Sequence, residues 1–347
     1  MPRLRRVDCS DPGITRRRFG RGFAYYDEDG DRIDDPVVLE RIRELAIPPA
    51  WTDVWICPSP NGHIQAIGTD AAGRKQYRYH DRWRARKDQE KFDRMVAFAR
   101  GLPDVRTTAA EHLALDGFPR ERVLAGAVRL LDRGFFRIGG EEYAETGSYG
   151  LATMLKEHVT LLPESALLFE YPAKGGRERL QSLVDPDVYD VVAALKRRRR
   201  GGQELLAYKN ARWRDVRSSD INDYIKEITG GDFSAKDFRT WHGTVLAAVA
   251  LAVSGRAAGS RTARKRAMSR AAQEVALYLG NTPAVARSSY IDPRVFDRYR
   301  AGVTIGGALD ELGEVDDLGA PSTQGAVEEA VVDLLEDERS PALEKVA

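Results

Sequence analysis

The apolar residues of this 347-residue chain change period once, near residue 80, and that change divides the chain in two. Before it, short β-type runs alternate with turns. FAYYDEDGDRI carries a DEDGD turn between apolar flanks, and WICPSPNGHIQAIGTD carries an Asn-Gly turn between Val54-Trp55-Ile56 and Ile64-Gln65-Ala66-Ile67; both are hairpin signatures. A helix is predicted between them over PVVLERIRELAI, stopped by Pro48-Pro49. From residue 81 the spacing is helical: DRWRARKDQEKFDRMVAFARGL, ERVLAGAVRLLDRGF and SYGLATMLKEHV read as helices. In ALLFEYPAKGGRERLQSLV two β-prone runs then flank a Lys-Gly-Gly turn, after which helices resume with DVYDVVAALKRRRR, SSDINDYIKEIT, the apolar stretch near 241–254 and RKRAMSRAAQEVALYLG. The expectation is an α+β protein: a small β-rich N-terminal domain over 1–80 and a larger, mainly α-helical domain over 81–310 with an inserted β-hairpin. Residues 311–347, acidic and rich in Ala, Gly and Ser, read as a mobile tail with a short helix at AVEEAVVDLLEDE.

A formal net charge of +1 hides a strong asymmetry. Residues 310–347 hold 12 Asp/Glu and two Lys/Arg, so the rest of the chain, with 52 basic and 41 acidic residues, carries +11. A basic body of this kind commonly meets nucleic acid or another polyanion. The longest apolar run, Val245 to Val253, is too short to span a bilayer, and MPRLRRVDCS lacks the apolar stretch of a signal peptide. Cys9 and Cys57 form no motif, and the five histidines have no metal-ligand spacing. Free thiols in a reducing cytoplasm, no structural metal and no cofactor are expected.

Several segments of the helical part each offer one residue suited to phosphate chemistry: Arg137 in FFRIGGEEYAETGSYGL, Lys174 at the hairpin tip, Arg239 in AKDFRTWHGT, Asn281 in YLGNTP and Tyr290 in SSYIDP. By position alone Tyr290 is a core anchor at a helix end. In this company it is a nucleophile: arginine forks bind the non-bridging oxygens of a phosphodiester, where charge develops, and a lysine on a turn can protonate the leaving sugar oxygen. Asn281 can donate a further hydrogen bond.

The ordered strings SYGLATMLKEHV, AKDFRTWHGT and LGNTPAVARSSYIDP resemble the catalytic domain of type IB DNA topoisomerases, specifically the bacterial and poxvirus-like group, over roughly residues 30–300. The resemblance implies a clamp on double-stranded DNA that relaxes supercoils through a 3′-phosphotyrosyl intermediate, strand rotation and religation, without ATP or a required metal. It implies Tyr290 as nucleophile, Arg137 and Arg239 on the phosphate, Lys174 as general acid and Lys236 in support. Two positions depart from the family pattern: many members have His at the place of Asn281, and Gly often precedes the hairpin lysine where this chain has Ala173. The enzyme is expected to act as a monomer on the nucleoid.

DNA contacts are further expected from Arg177 and Arg179 near the hairpin, from Lys265 and Arg266 in ARKRAMSR, and from GRKQYRYHDRWRARK with Arg74, Lys75, Tyr77 and Arg78. KRRRR at 196–200 reads equally as a DNA-tracking run or a solvated helix end, and Trp51, Trp55, Tyr77 and Tyr79 could stack on nucleic acid but read first as core packing. Two rivals share parts of the pattern. A tyrosine recombinase has the same Arg/Lys/Arg/Tyr chemistry, but usually a His where Lys236 stands and a helical N-terminal domain. An architectural DNA-binding protein would not need the complete catalytic set.

Overall fold

A computed structural model describes residues 3–255, 260–312, 324–337 and 340–345. The chain forms two compact units, Met1–Lys91 and Phe92–Ala347, the boundary falling inside a long helix.

In the first unit β1 (Ile14–Phe19), β2 (Gly22–Tyr26), β3 (Thr52–Ile56), β4 (Ile64–Thr69) and β5 (Lys75–Tyr79) form an antiparallel sheet in the order β2-β1-β3-β4-β5. Helix α1 (Pro36–Glu44) starts where the Asp35 side chain accepts from the Val37 N–H at 2.8 Å. Ile14, Ile42, Val54, Ile56 and Ala66 make the small core. The Asn-Gly connection joins β3 and β4 as expected. The first hairpin turns instead at Gly20-Arg21, and DEDGD forms the next turn, closing a single Tyr26–Arg32 bridge. Asp27 explains this: its carboxylate accepts from the Asp29 and Asp31 N–H groups, folding the acidic run onto itself.

The second unit begins within α2 (Asp81–Leu113) and continues through α3 (Arg120–Gly134), the one-turn α4 (Glu141–Ala144), and a three-stranded sheet of β6 (Val159–Leu161), β7 (Ala166–Ala173) and β8 (Arg177–Val184) in that order. Next come α5 (Pro186–Arg197), the hairpin β9 (Ala207–Asn210) and β10 (Arg212–Asp215), and α6 (Ser218–Thr229). The chain goes on with α7 (Ala235–Gly255), α8 (Arg261–Leu279), α9 (Pro283–Ser289) and α10 (Pro293–Arg300). It closes with β11 (Val303–Thr304), α11 (Gly306–Leu312), α12 (Ala326–Glu336) and β12 (Glu344–Lys345), which pairs with β11. Helix α7 is buried on almost every side, as a helix apolar all round must be, and is the axis of this unit. Among the described residues no helix is long and apolar enough to cross a membrane.

Two expectations are corrected. SYGLATMLKEHV is not a helix but two 3₁₀ turns, Leu151–Thr153 and Lys156–His158, separated by extended backbone. Leu151, Ala152, Thr153 and Met154 are all buried in succession, so the run never had the one-sided stripe of an amphipathic helix. Nor are residues 311–347 a free tail throughout. The short helix expected there exists as α12, but Val327, Ala330, Val331, Leu334 and Leu335 bury its apolar face in the main core. Residues 340–345 are docked as well, through the β11–β12 pair and the Ala308 N–H to Ala342 carbonyl bond. Burying several Val and Leu side chains, each worth about 1.5–3 kcal/mol, outweighs the segment's acidic composition. Residues 313–323 of the expected tail lie outside the described residues.

Candidate active site

The site is built around the end of one helix. Helix α8 stops at Gly280, whose φ of +61° turns the chain out, and the Asn281 N–H returns to the Ala276 carbonyl. The last carbonyls of α8 lie at the negative end of its dipole, Leu277 also receiving the Gly280 N–H at 3.2 Å. Arginines fill them. Arg179, from β8, donates to the Leu277 and Tyr278 carbonyls; Arg239, from α7, donates to Leu279 at 2.7 Å; Arg137 donates to Gly280 at 2.8 Å. A helix end thus gathers three cations by means of carbonyls rather than carboxylates.

Arg137 is set by the chain that follows α3. Phe135 ends that helix in a left-handed conformation, and Phe136 is buried edge-on against Phe169. The Leu151 and Ala152 N–H groups then donate to the Arg137 and Ile138 carbonyls at 2.8 and 2.7 Å. Gly139 and Gly150 meet backbone to backbone at this crossing, where a Cβ on either would collide with the other. Arg137 also donates to Oδ1 of Asn281, which orients that amide and leaves its buried Nδ2 without a partner.

Arg239 is 4% exposed and donates to the Phe135 carbonyl at 2.6 Å as well as to Leu279. Burial, then repulsion from Arg137, push its guanidinium down to about 10, while Tyr290 acts in the opposite direction. Its carbon lies 5.2 Å from the centre of the Tyr290 ring. Tyr290 caps α9 and is partly exposed, so it is not the core anchor that its position suggests. Its backbone is clamped: the N–H donates to Ala286 at 3.0 Å, and the carbonyl packs against Gly243 of α7, where a Cβ would come within 2.6 Å. The next anchor is Asp292, fully buried, whose N–H donates to the Thr244 hydroxyl and whose carboxylate caps α10 and binds Arg294. The Tyr-Ile-Asp-Pro string therefore holds Tyr290 at a break between two helices, both of whose ends are pinned.

A cleft of about 380 Å³ is lined by Arg137, Tyr143, Lys174, Lys236, Arg239 and Tyr290, among others. A neighbouring one of about 180 Å³ shares Arg137, Lys174 and Arg239 and adds Arg177, Arg179 and Asn281. Lys174 stands exposed at the β7–β8 tip, its turn made by Gly175 and Gly176 at φ of +85° and +69°, with Nζ 5.9 Å from the Tyr143 ring centre. Lys236 is exposed one helical turn before Arg239. Among the described residues no carboxylate pairs with Arg137, Arg239, Lys174 or Lys236. Glu178 lines the smaller cleft, but among the described lining residues of the larger one a buried arginine stands beside other cations with no acid, the composition of an unfilled anion site.

The remaining expected residues lie elsewhere or are engaged. Arg179 is bound to the α8 carbonyls and reads as a brace between hairpin and helix. Lys265 and Arg266 are exposed on α8, about 20 Å along the helix from its C-terminal end, and line neither cleft. Arg74, Lys75, Tyr77 and Arg78 are on or beside β5 of the first unit, Arg74 being paired with Asp70 at 2.8 Å. Trp51 and Trp55 are half-buried, but Tyr77 and Tyr79, 44% and 43% exposed, stack on each other on the open face of the edge strand rather than in the core. In KRRRR, Lys196 and Arg198 are spent on backbone carbonyls, and Arg197, Arg199 and Arg200 are exposed. Tyr143, Ser218 and Asn222 also line the larger cleft and carry no local signal; only the folding of α4 and α6 beside Arg137 brings them there.

Residues 80–304 match the family described as eukaryotic DNA topoisomerase I, catalytic core. The chain belongs to the type IB DNA topoisomerase family. Residues 22–70 match the family described as bacterial DNA topoisomerase IB, N-terminal domain. The DNA topoisomerase 1B of Acanthamoeba polyphaga mimivirus is 32% identical over 298 residues, covering 83% of this chain and 88% of that one. The chain is a type I DNA topoisomerase, an isomerase that binds DNA and changes its topology, and type IB enzymes do so without ATP.

Proposed function

We propose that Tyr290 is the nucleophile of this topoisomerase and that Arg137, Arg239, Lys174 and Asn281 complete the site, with Lys236 in support. The observation that carries this reading is the convergence of four cations and Tyr290 on the larger cleft, with no carboxylate among its described lining residues. A backbone phosphate bound there accepts hydrogen bonds at its non-bridging oxygens from the guanidinium groups of Arg137 and Arg239 and from the orphan Nδ2 of Asn281. The Tyr290 oxygen attacks phosphorus and releases its proton to solvent. The bond from phosphorus to the 5′-oxygen breaks, and that oxygen takes a proton from Lys174, leaving a free 5′-hydroxyl and a 3′-phosphotyrosyl ester. One ester replaces another of similar energy, so religation is the same path reversed and relaxation of supercoils supplies the drive.

The β-rich unit, with the basic aromatic face of β5, and the helical unit together serve as a clamp on duplex DNA, with 81–310 as the catalytic domain. Arg177 and the exposed lysines and arginines beyond the cleft follow the phosphate backbone. One copy supplies every named group, so a monomer suffices, acting on the DNA of the nucleoid. Quenching a mixture of enzyme and nicked or intact duplex with denaturant tests the central assignment. Wild type yields a 3′-phosphotyrosyl adduct, and Tyr290→Phe binds the same duplex but yields none; an adduct in the variant would overturn the assignment.

A further inference from the structure

The acidic C-terminal segment delivers one carboxylate into the interior of the catalytic unit. Glu328, on the first turn of α12 and 8% exposed, accepts from both terminal nitrogens of Arg106 at 2.6 and 3.0 Å and from the Trp241 indole N–H at 2.8 Å. Arg106, on α2, also binds Asp132 of α3 at 2.9 and 3.0 Å. Four helices are thereby joined through one half-buried guanidinium.

One of them, α7, carries Arg239, and Arg137 follows the end of another, α3. Trp241 lies two residues after Arg239 on α7, and Asp132 lies five residues before Arg137 and three before Phe135, whose carbonyl receives Arg239. The His242 ring fills the space between, 3.4 Å from Asp132 and edge-on to Phe135. The distance between the two arginines thus depends on how α3 and α7 are held against Arg106. Glu328 is the side chain that binds both Arg106 and α7. It comes from beyond residue 304, where the match to the catalytic-core family ends.

We propose that Glu328 is a positioning residue for DNA cleavage, setting the separation of Arg137 and Arg239 through Arg106 and Trp241; this rests on the assignment of those arginines above. Glu328→Gln keeps the shape and one acceptor for the indole, but turns an amide donor towards a guanidinium, donor against donor. The two helices then move apart by a fraction of an ångström while the phosphate contacts need both forks at once.

The test is single-turnover cleavage of a saturating duplex by the full-length protein, measured well below the thermal midpoint, beside the Kd for the same duplex. Glu328→Gln slows cleavage about 10- to 100-fold with unchanged Kd. Leu334→Ala, on the same helix, 2% exposed and bringing no polar group to this network, lowers the midpoint but cleaves at the wild-type rate. Wild-type cleavage by Glu328→Gln, or an equal slowing by Leu334→Ala, overturns the proposal, the second by reducing α12 to a stabilising element. If Glu328→Gln unfolds at the assay temperature, Trp241→Phe, which removes the indole donor, is held to the same outcomes. Tyr290→Phe run in parallel separates the two claims: an adduct in that variant overturns the site itself, whereas its absence together with full activity of Glu328→Gln overturns the role of Glu328 alone.

Discussion

Replacing Gly150 by alanine tests whether the backbone crossing beside Arg137 sets the rate of cleavage. Gly150 has φ of −151° and ψ of −172°, which any residue adopts, so alanine brings no conformational penalty and the effect is purely one of space. Its Cβ would lie 2.5 Å from the Gly139 nitrogen, closer still to the Gly139 Cα, and 2.9 Å from the Arg137 carbonyl oxygen. These are backbone atoms, so no side chain can swing aside. Restoring ordinary contact at about 3.5 Å requires the two strands of chain to separate by about 1 Å. That strains the 2.8 and 2.7 Å bonds from Leu151 and Ala152 to the Arg137 segment. Overpacking of this kind costs about 1–3 kcal/mol, and at about 2–4 °C per kcal/mol for a unit of this size the thermal midpoint falls by about 2–12 °C. A 1 Å error in a group that binds the transferring phosphate costs about 100-fold in rate, or about 2.7 kcal/mol in the barrier. Rapid-quench cleavage of a saturating duplex, with unfolding followed by circular dichroism, measures both. Wild-type values of both would refute the reasoning, since the crossing would then be soft and Arg137 would be placed by something else.

Lys174→Ala slows cleavage of an ordinary duplex by about 10²–10⁴-fold but leaves a substrate with a 5′-bridging sulfur nearly unaffected, because a thiolate leaves without a proton; equal defects on both would move the general acid to Lys236. Inorganic phosphate at ten times its Kd stabilises the wild type by about 1.4 kcal/mol, and Arg137→Ala by much less, read as the shift in thermal midpoint; equal shifts would mean that the anion binds elsewhere. Burial by itself would raise the Asp132 carboxyl, but the His242 ring 3.4 Å away and the hydrogen bonds from Arg106 more than offset it and hold it well below the usual range. Its contribution is therefore complete above about pH 4 and is lost as pH falls towards its lowered folded value, at up to about 1.4 kcal/mol per pH unit. Asp132→Asn is less stable at pH 7 and flatter in denaturant unfolding between pH 4 and pH 2, and parallel curves would exclude Asp132 as the acid-sensitive group.

The sequence by itself determined the division into a β-rich and a helical part and the Lys-Gly-Gly hairpin tip, and it named the residues proposed to do the chemistry. Each of these rests on a local signal: a period of 2 or 3.6, a turn that only glycine forms easily, or a motif whose order survives in one dimension. Tyr290 was legible for that reason, because Asp292 and Pro293 declare the helix start that follows it. Tertiary structure decided what those signals do not encode. That Arg179 is a brace, that Tyr77 and Tyr79 face outward, and that 151–158 makes turns rather than a helix all depend on which neighbours arrive from elsewhere in the chain. The C-terminal segment shows the reason most plainly. Its acidic composition describes the average residue, whereas folding responds to the one face of α12 on which Val327, Val331, Leu334 and Leu335 line up, and to the single carboxylate, Glu328, that meets a half-buried arginine more than two hundred residues away in sequence.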